Sequence, residues 1–93
     1  MSITVSNSRV ISLTANTELT VNFHKNLASI TILNLGTANV YFRYDEQLAA
    51  VASDECMKLD STLKGFDLSE TNTIPSISFI ADGNTKIQLL NLK

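Results

Sequence analysis

The chain has 93 residues, of which 44% are hydrophobic and 17% charged, and its formal net charge is −2. This composition is typical of a folded domain and excludes a disordered chain. The Lys and Arg residues are scattered along the sequence, so we expect no nucleic-acid partner. No apolar run approaches the roughly 20 residues that span a bilayer, so we also expect no membrane partner.

Side chains alternate between apolar and polar along most of the chain, as in strands with one buried face. In Glu18–Phe23 the odd positions are apolar, and further on Ile30 and Ile32 flank Thr31. The pattern predicts an all-β fold, a small antiparallel β-sandwich or jelly roll of about eight short strands, as one domain spanning 1–93. The candidate strands, in chain order, are Ser2–Ser6, Arg9–Thr14, Glu18–Phe23, Ala28–Leu35, Asn39–Tyr44, Met57–Asp60, Lys64–Leu68, Ser76–Ala81 and Thr85–Asn91.

The N-terminal segment, residues 1–14, contains two short apolar stretches separated by Asn7 and Ser8. It has two interpretations: an edge strand that closes the sandwich of its own subunit, or an extended arm that pairs with a neighbour. Under the second interpretation the segment would contact a partner. The candidate contact residues here are Ile3, Val5 and Val10.

Three local signals punctuate the strands. Asn34–Asn39 joins two strongly patterned runs and predicts a hairpin loop. Asp82-Gly83 suits the positive φ angles of a tight or bulged turn. Pro75, the sole proline, is expected at the start of its strand, where the loss of an N–H donor costs little.

The segment Asp45–Lys58 breaks the alternation, because its apolar residues recur at spacings near three and four. Either a short helix crosses one end of the sheets here, or the segment is an irregular loop followed by a short strand. Such a departure from the regular pattern is a candidate place for partner contacts. Leu48 and Val51 are the residues that we single out.

The last strand changes phase, since Ile87 and Leu89 are odd-numbered but Leu90 and Leu92 are even-numbered. Either a bulge shifts the register, or both faces of this strand are covered, as at a subunit interface. Leu90 and Leu92 are therefore further candidate partner contacts. Tyr41 is another, because it lies opposite in phase to Val40 and Phe42 and should face solvent or a partner.

Few residues could perform catalysis. The only histidine, His24, has no nucleophile nearby in sequence, and we expect it to be a surface turn residue. We expect Cys56 to be a small, partly buried thiol. The Asp45-Glu46 and Asp54-Glu55 doublets could converge on a metal, but they lack the spacing of a calcium loop, and no Cys/His pair has zinc spacing. We therefore expect no catalytic residues, no metal site and no cofactor, and a protein that is not an enzyme.

The run from Ile30 to Tyr44 resembles a pattern found in small virion proteins of tailed bacteriophages. In those proteins a strand ends in Asn-x-Gly, turns through small polar residues and resumes with a Val-Tyr-type strand, as Asn34–Gly36 and Val40-Tyr41 do here. A loop, further short strands and a final hairpin ending in an Ile-x-Leu-like strand then follow, which corresponds here to Ile77–Asn91. The similarity extends loosely from Ala28 to Asn91.

This resemblance implies a non-enzymatic accessory protein that decorates or cements a phage head. Its partners would be the major capsid protein or another virion protein and further copies of itself, with a trimer favoured. It would be synthesised in the bacterial host cytoplasm and would end in the virion. Two alternatives are a tail or fibre-attachment role and a soluble carbohydrate- or ligand-binding β-sandwich with Tyr41 as an exposed aromatic.

Overall fold

The computed structural model describes the backbone of all 93 residues and the side chains of all except Thr71 and Asn72. The described backbone forms seven strands and no helix, so no helix in it is long and apolar enough to cross a membrane. The strands are β1 (Ser2–Val5), β2 (Arg9–Leu13), β3 (Leu19–Asn34), β4 (Val40–Arg43), β5 (Met57–Leu59), β6 (Gly65–Ala81) and β7 (Thr85–Leu90). The predicted all-β fold is confirmed.

The strands form one hydrogen-bonded sheet that divides into two layers, because β3 and β6 pair with different neighbours along their lengths. The first half of β3 lies between β1 and the second half of β6. β4 pairs with the other edge of this half of β6, and β5 pairs with β4. The second half of β3 lies between β7 and the first half of β6, and β2 completes that side. We call these the five-stranded layer and the four-stranded layer.

β3 and β6 each join two of the predicted strands, which is why seven strands replace the larger number expected. The register of the β3–β6 pair shifts between Asn22 and Leu27 and again between Leu27 and Ser29. The hydrogen-bonded ladder therefore bends at these residues but does not end. The buried positions of β3 are odd up to Phe23 and even from Ile30 onward. Pro75 therefore lies inside β6, close to this irregularity, and does not start a strand.

The core lies between the two layers. Phe42 of the five-stranded layer meets Phe66 of the four-stranded layer edge to face, with ring centroids 5.9 Å apart. Phe42 also contacts Phe79 beside it, again at 5.9 Å. The apolar side chains of both layers form one continuous buried cluster. Burial of this kind, about 25 cal/mol per Å² of apolar surface, is the main source of stability in a domain this small.

The N-terminal segment pairs within its own chain. Ser2–Val5 runs parallel to Thr20–Phe23, and this is the one parallel pair of strands in the described sheet. Arg9–Leu13 pairs antiparallel with Thr85–Leu89. Both β1 and β2 are edge strands, each with a single neighbour.

The helix considered for Asp45–Lys58 is wrong, and the alternative, an irregular loop with a short strand, is correct. Glu46 and Ala52 have φ angles of 65° and 59°, which right-handed helical backbone does not allow. Hydrogen bonds from Ser53 N to Ala50 O and from Cys56 N to Ser53 O form isolated turns. Regular structure returns only at Met57.

The phase change at Leu90 has a different cause from a bulge. β7 pairs without interruption with both neighbours, so Leu89 faces the core and Leu90 faces outward as ordinary alternation requires. The reversal comes one residue later, where Asn91 has a φ of 56°. Leu92 then turns back and packs against the core.

Candidate interaction faces

The part of the outer face of the five-stranded layer that β4 and β6 form is covered by this chain's own loop. Residues 45–56 fold over β4 and β6, and Ala49 packs with Tyr41 and Ile80 in a second, smaller apolar cluster. Val51 and Cys56 border that cluster. We call this the covered face.

Tyr41 is therefore 7% exposed, and the prediction that it faces solvent is wrong. Its phase is as expected, since it pairs with Ile80 on the face opposite the main core. The alternation within β4 does not predict that residues 45–56 lie over Tyr41. The aromatic platform required for sugar binding is thereby removed from the surface.

Buried hydrogen bonds fasten the loop to the sheet. The backbone N–H of Ala49 donates to Ser78 Oγ at 2.8 Å, and Ser78 Oγ donates in turn to Glu18 Oε2 at 2.5 Å. Thr20 Oγ1 donates to the same carboxylate oxygen at 2.6 Å. One carboxylate thus orients the hydroxyl that holds the loop, because an ionised acceptor strengthens the bond that it receives.

An arginine holds both ends of the loop. Arg43 Nε and Nη2 donate to the two oxygens of Asp45 at 3.0 and 2.5 Å, and Nη1 lies 3.1 Å from Glu55 Oε2. The paired arrangement with Asp45 is bidentate, the geometry that favours Arg over Lys. Its hydrogen bonds raise the pKa of Arg43 and lower the pKa of Asp45.

The two Asp-Glu doublets considered as metal ligands are used differently. Asp45 and Glu55 converge, but on the guanidinium of Arg43. Glu46 and Asp54 are exposed. Among the described residues, no three His, Cys, Asp or Glu side chains are grouped closely enough to hold a metal ion.

The outer face of the four-stranded layer is not covered in this way. One row of residues crosses all four strands, in the order Val10, Gln88, Leu33 and Gly65. Val10 is 48% exposed, and Leu33 is half-buried where it lies over Gly65, whose missing side chain leaves room for it. This surface, which we call the open face, consists of the apolar Val10, Leu33, Leu35 and Leu90 among the polar Ser12, Thr31, Asp67, Lys86 and Gln88.

A shallow groove of about 510 Å³ lies at one end of the open face, lined by Ser12, Thr14, Leu35, Asn84 and Lys86, among others. Its wall is formed by residues 34–39, which connect β3 to β4. The predicted hairpin is wrong, because β3 and β4 are not hydrogen-bonded neighbours in the described sheet and the segment crosses from one layer to the other.

The side chain of Asn34 fixes this turn from inside. Its Oδ1 accepts from Gly36 N at 3.1 Å and from Thr85 Oγ1 at 3.0 Å, and its Nδ2 donates to Ala38 O at 2.7 Å. Asn34 is only 2% exposed. A Cβ at Gly36 would overlap the Thr85 hydroxyl, so this position requires glycine.

The eight candidate partner contacts fall into four environments. Val5 is buried in the core, and Ile3 and Leu92 pack against it. Tyr41 and Val51 belong to the covered face. Leu48 projects from the loop and is 67% exposed. Only two of the eight, Val10 and Leu90, share one accessible surface, the open face.

Two residues of the open face escaped sequence reasoning. Leu33 and Leu35 stand out of phase with Ile30 and Ile32, and that phase difference alone was enough to place them outside the core.

The histidine and the cysteine have the exposure that the sequence predicts. His24 is exposed, although it lies within β3 and not in a turn, and Cys56 is half-buried with its thiol 3.7 Å from Ala50 O.

Comparison of the chain with models of protein families finds no match, and comparisons with curated proteins and with solved structures find none either.

Proposed function

We propose that this chain is a non-enzymatic virion structural protein, a capsid decoration or cement subunit that binds the surface of a phage head. The observation that carries the proposal is the open face, where Val10 and Leu35 stay 48% and 49% exposed on the four-stranded layer. Apolar side chains grouped on one face and rimmed by polar ones are typical of protein interaction sites.

The rest of the molecule supports a role in which rigidity matters more than reactivity. None of the buried side-chain N or O atoms among the described residues lacks a hydrogen-bond partner. The 45–56 loop is fastened to the sheet by Ser78 and Arg43. A subunit of this kind keeps its binding face in one shape. Repetition over a lattice then makes individually weak contacts effective.

The direct test is mass analysis of purified particles. The proposal expects the chain in stoichiometric, repeated amounts in virions, at a copy number comparable with that of the major capsid protein. Absence from the particles would overturn it. A copy number typical of a tail tip would transfer the chain to a tail or fibre-attachment role.

Variants can test the face itself on heads assembled without the chain. Val10→Glu and Leu90→Glu each place a charge on the open face and should weaken rebinding roughly tenfold, since each charge must be desolvated at the contact. Leu48→Glu is the matched control, because Leu48 is more exposed than Val10 but lies on the loop of the other layer. Loss of rebinding in the control alone would exclude the open face while leaving the capsid role intact.

The groove beside Leu35 favours one alternative, a soluble ligand-binding module. Hydroxyl, amide and ammonium groups from Ser12, Thr14, Asn84 and Lys86 line it, which would suit a small polar ligand such as a sugar. A glycan array and a thermal-shift screen distinguish this role: binding abolished by Asn84→Ala would support it, and blank results in both would remove it.

A further inference from the structure

We propose that copies of this chain associate head to tail, with β2 of one copy pairing antiparallel with the first half of β6 of the next. The partner is thus a second copy of the same chain, joined through the two edges of the four-stranded layer. The inference does not depend on the proposed function, because it concerns how the chain meets itself and not what the assembly binds.

Both edges are available for pairing. Among the described strand pairs, β2 pairs only with β7, and residues 65–69 of β6 pair only with β3. Neither stretch contains proline, and neither has a bulge in its existing register. Proline and bulges are two of the usual devices that block an edge, and both are missing from these two stretches. Charge is a third device, and Arg9 is in phase with Ile11 and Leu13, so a partner strand must supply an opposite charge there.

Strand polarity fits a head-to-tail contact. β2 is antiparallel to β7, β7 to β3, and β3 to β6, so β2 and β6 run in opposite directions. A second copy that is rotated about an axis parallel to the strands presents its β6 edge antiparallel to the first copy's β2. The layer then continues from copy to copy in the same alternating pattern, which is a heterologous interface.

Side-chain phase selects the register of that contact. The core-facing residues are Ile11 and Leu13 in β2, and Phe66 and Leu68 in β6. Pairing Ile11 with Leu68 and Leu13 with Phe66 keeps all four on the same side of the continued layer.

The same register places Arg9 directly opposite Glu70. Both side chains are exposed, and neither takes part in the ion pairs of the described residues, which join Arg43 to Asp45 and Glu55, and Lys58 to Asp60. Among the described side chains, Glu70 accepts one long hydrogen bond, 3.4 Å, from the hydroxyl of Tyr44. Opposite charges across a strand pair stabilise it, so one register satisfies both the apolar phase and the charges.

A symmetric dimer in which β2 pairs with β2 of a second copy satisfies the charges less well. Centred on Ile11, it sets Arg9 opposite Leu13 and leaves the guanidinium without a carboxylate. The charges therefore favour the head-to-tail arrangement over the symmetric dimer.

Sedimentation equilibrium over a range of concentrations tests the proposal. The unmodified chain should form closed rings of three or more copies, or open filaments. Arg9→Glu and Glu70→Arg should each weaken association roughly tenfold, because each replaces an opposite pair by a like pair. The double variant, R9E with E70R, should restore it. An equimolar mixture of the two single variants should restore it in filaments and in rings with an even number of copies, where the two variants can alternate.

Lys86→Glu is the matched control, since it makes the same charge change on β7, away from both edges, and should leave association unchanged. Restoration by the double variant also excludes misfolding as the cause of the single losses. A monomer at all concentrations, a dimer that does not grow further, or a failure of the double variant to recover would each overturn the proposal.

Discussion

The two outer faces of the sandwich are built from strands with the same alternation, yet one is covered and the other is not. On the five-stranded layer the outward residues include Tyr41 and Ile80, and the 45–56 loop buries both. On the four-stranded layer the outward residues include Val10 and Leu35, which remain about half exposed. Alternation decides which face a side chain joins, whereas a loop from elsewhere decides whether that face meets water.

The largest expected difference comes from placing the same charge on each face. Ile80→Lys should destabilise the protein by roughly 3 kcal/mol or more, because an ammonium under the loop loses its hydration without a partner. Val10→Lys should change stability by no more than about 0.5 kcal/mol, as at other exposed positions. Chemical denaturation measures both, and equal losses would mean that the open face is covered in solution.

A smaller effect should follow from releasing the loop. Ser78→Ala leaves the buried N–H of Ala49 without its acceptor, which should cost roughly 1–3 kcal/mol. Hydrogen exchange should accelerate across 45–56 and stay unchanged in β2 and β7. Ser12→Ala, a matched change on the open face, should alter neither. Acceleration spread evenly over both layers would show that the loop does not open independently of the four-stranded layer.

Acid should loosen the covered face first. Arg43 holds the pKa of Asp45 below its usual 3.8, so the stabilisation from this pair is complete above that pH and is lost as the pH falls through the folded-state pKa. Limited proteolysis at decreasing pH should therefore cut within 45–56 before other segments. Asp45→Asn should show the same cleavage at neutral pH, and resistance of that variant would show that the pair does not hold the loop.

Asp60 provides an internal reference for that experiment. The hydroxyl of Thr62, with the N–H groups of Leu63 and Thr62, lowers the pKa of Asp60 to about 2. Its turn, between β5 and β6, should thus respond to acid in the same direction but keep its hydrogen bonds until a pH near 2. Chemical shifts of Asp45 and Asp60 followed by NMR would separate the two transitions.

The smallest effect is expected at two residues with a left-handed backbone conformation, one in the loop of the covered face and one at the end of β7. Ala52 in the loop has a φ of 59°, so Ala52→Gly should stabilise the protein by about 0.5 kcal/mol through relief of backbone strain. Asn91→Ala, at a φ of 56° beyond β7, should destabilise it by a similar amount. Thermal unfolding resolves both, and a loss of stability in Ala52→Gly would show that chain entropy outweighs the strain.

Local pattern predicted most of the strands, because each buries one face and therefore alternates. It missed the continuity of β3 and β6, since a bulge reverses the phase without breaking the ladder and so resembles a gap between two strands. The helical spacing of Leu48 and Val51 was misleading for a related reason. Val51 reaches the apolar cluster on β4 and β6, whereas Leu48 reaches solvent, so the two never share one face.

The interaction surfaces were predictable only in part. Val10 and Leu90 were singled out from their positions in sequence, but their common surface depends on the pairing of β2 with β7. The proposed pairing of Arg9 with Glu70 between copies is harder to predict from the sequence, because it depends on the directions of four strands that are distant along the chain. Register is a property of the folded sheet, and a single strand does not contain it.

The passage of β3 and β6 through both layers also governs how the chain must fold. Leu19 pairs with Phe79, and Leu33 pairs with Gly65, so each layer waits for residues that are synthesised much later. The two layers share β3 and β6, and such distant pairing makes folding slow. During translation the edge of β3 that faces β6 stays unpaired until β6 emerges, and the nascent chain is exposed for that interval to pairing with other copies of itself.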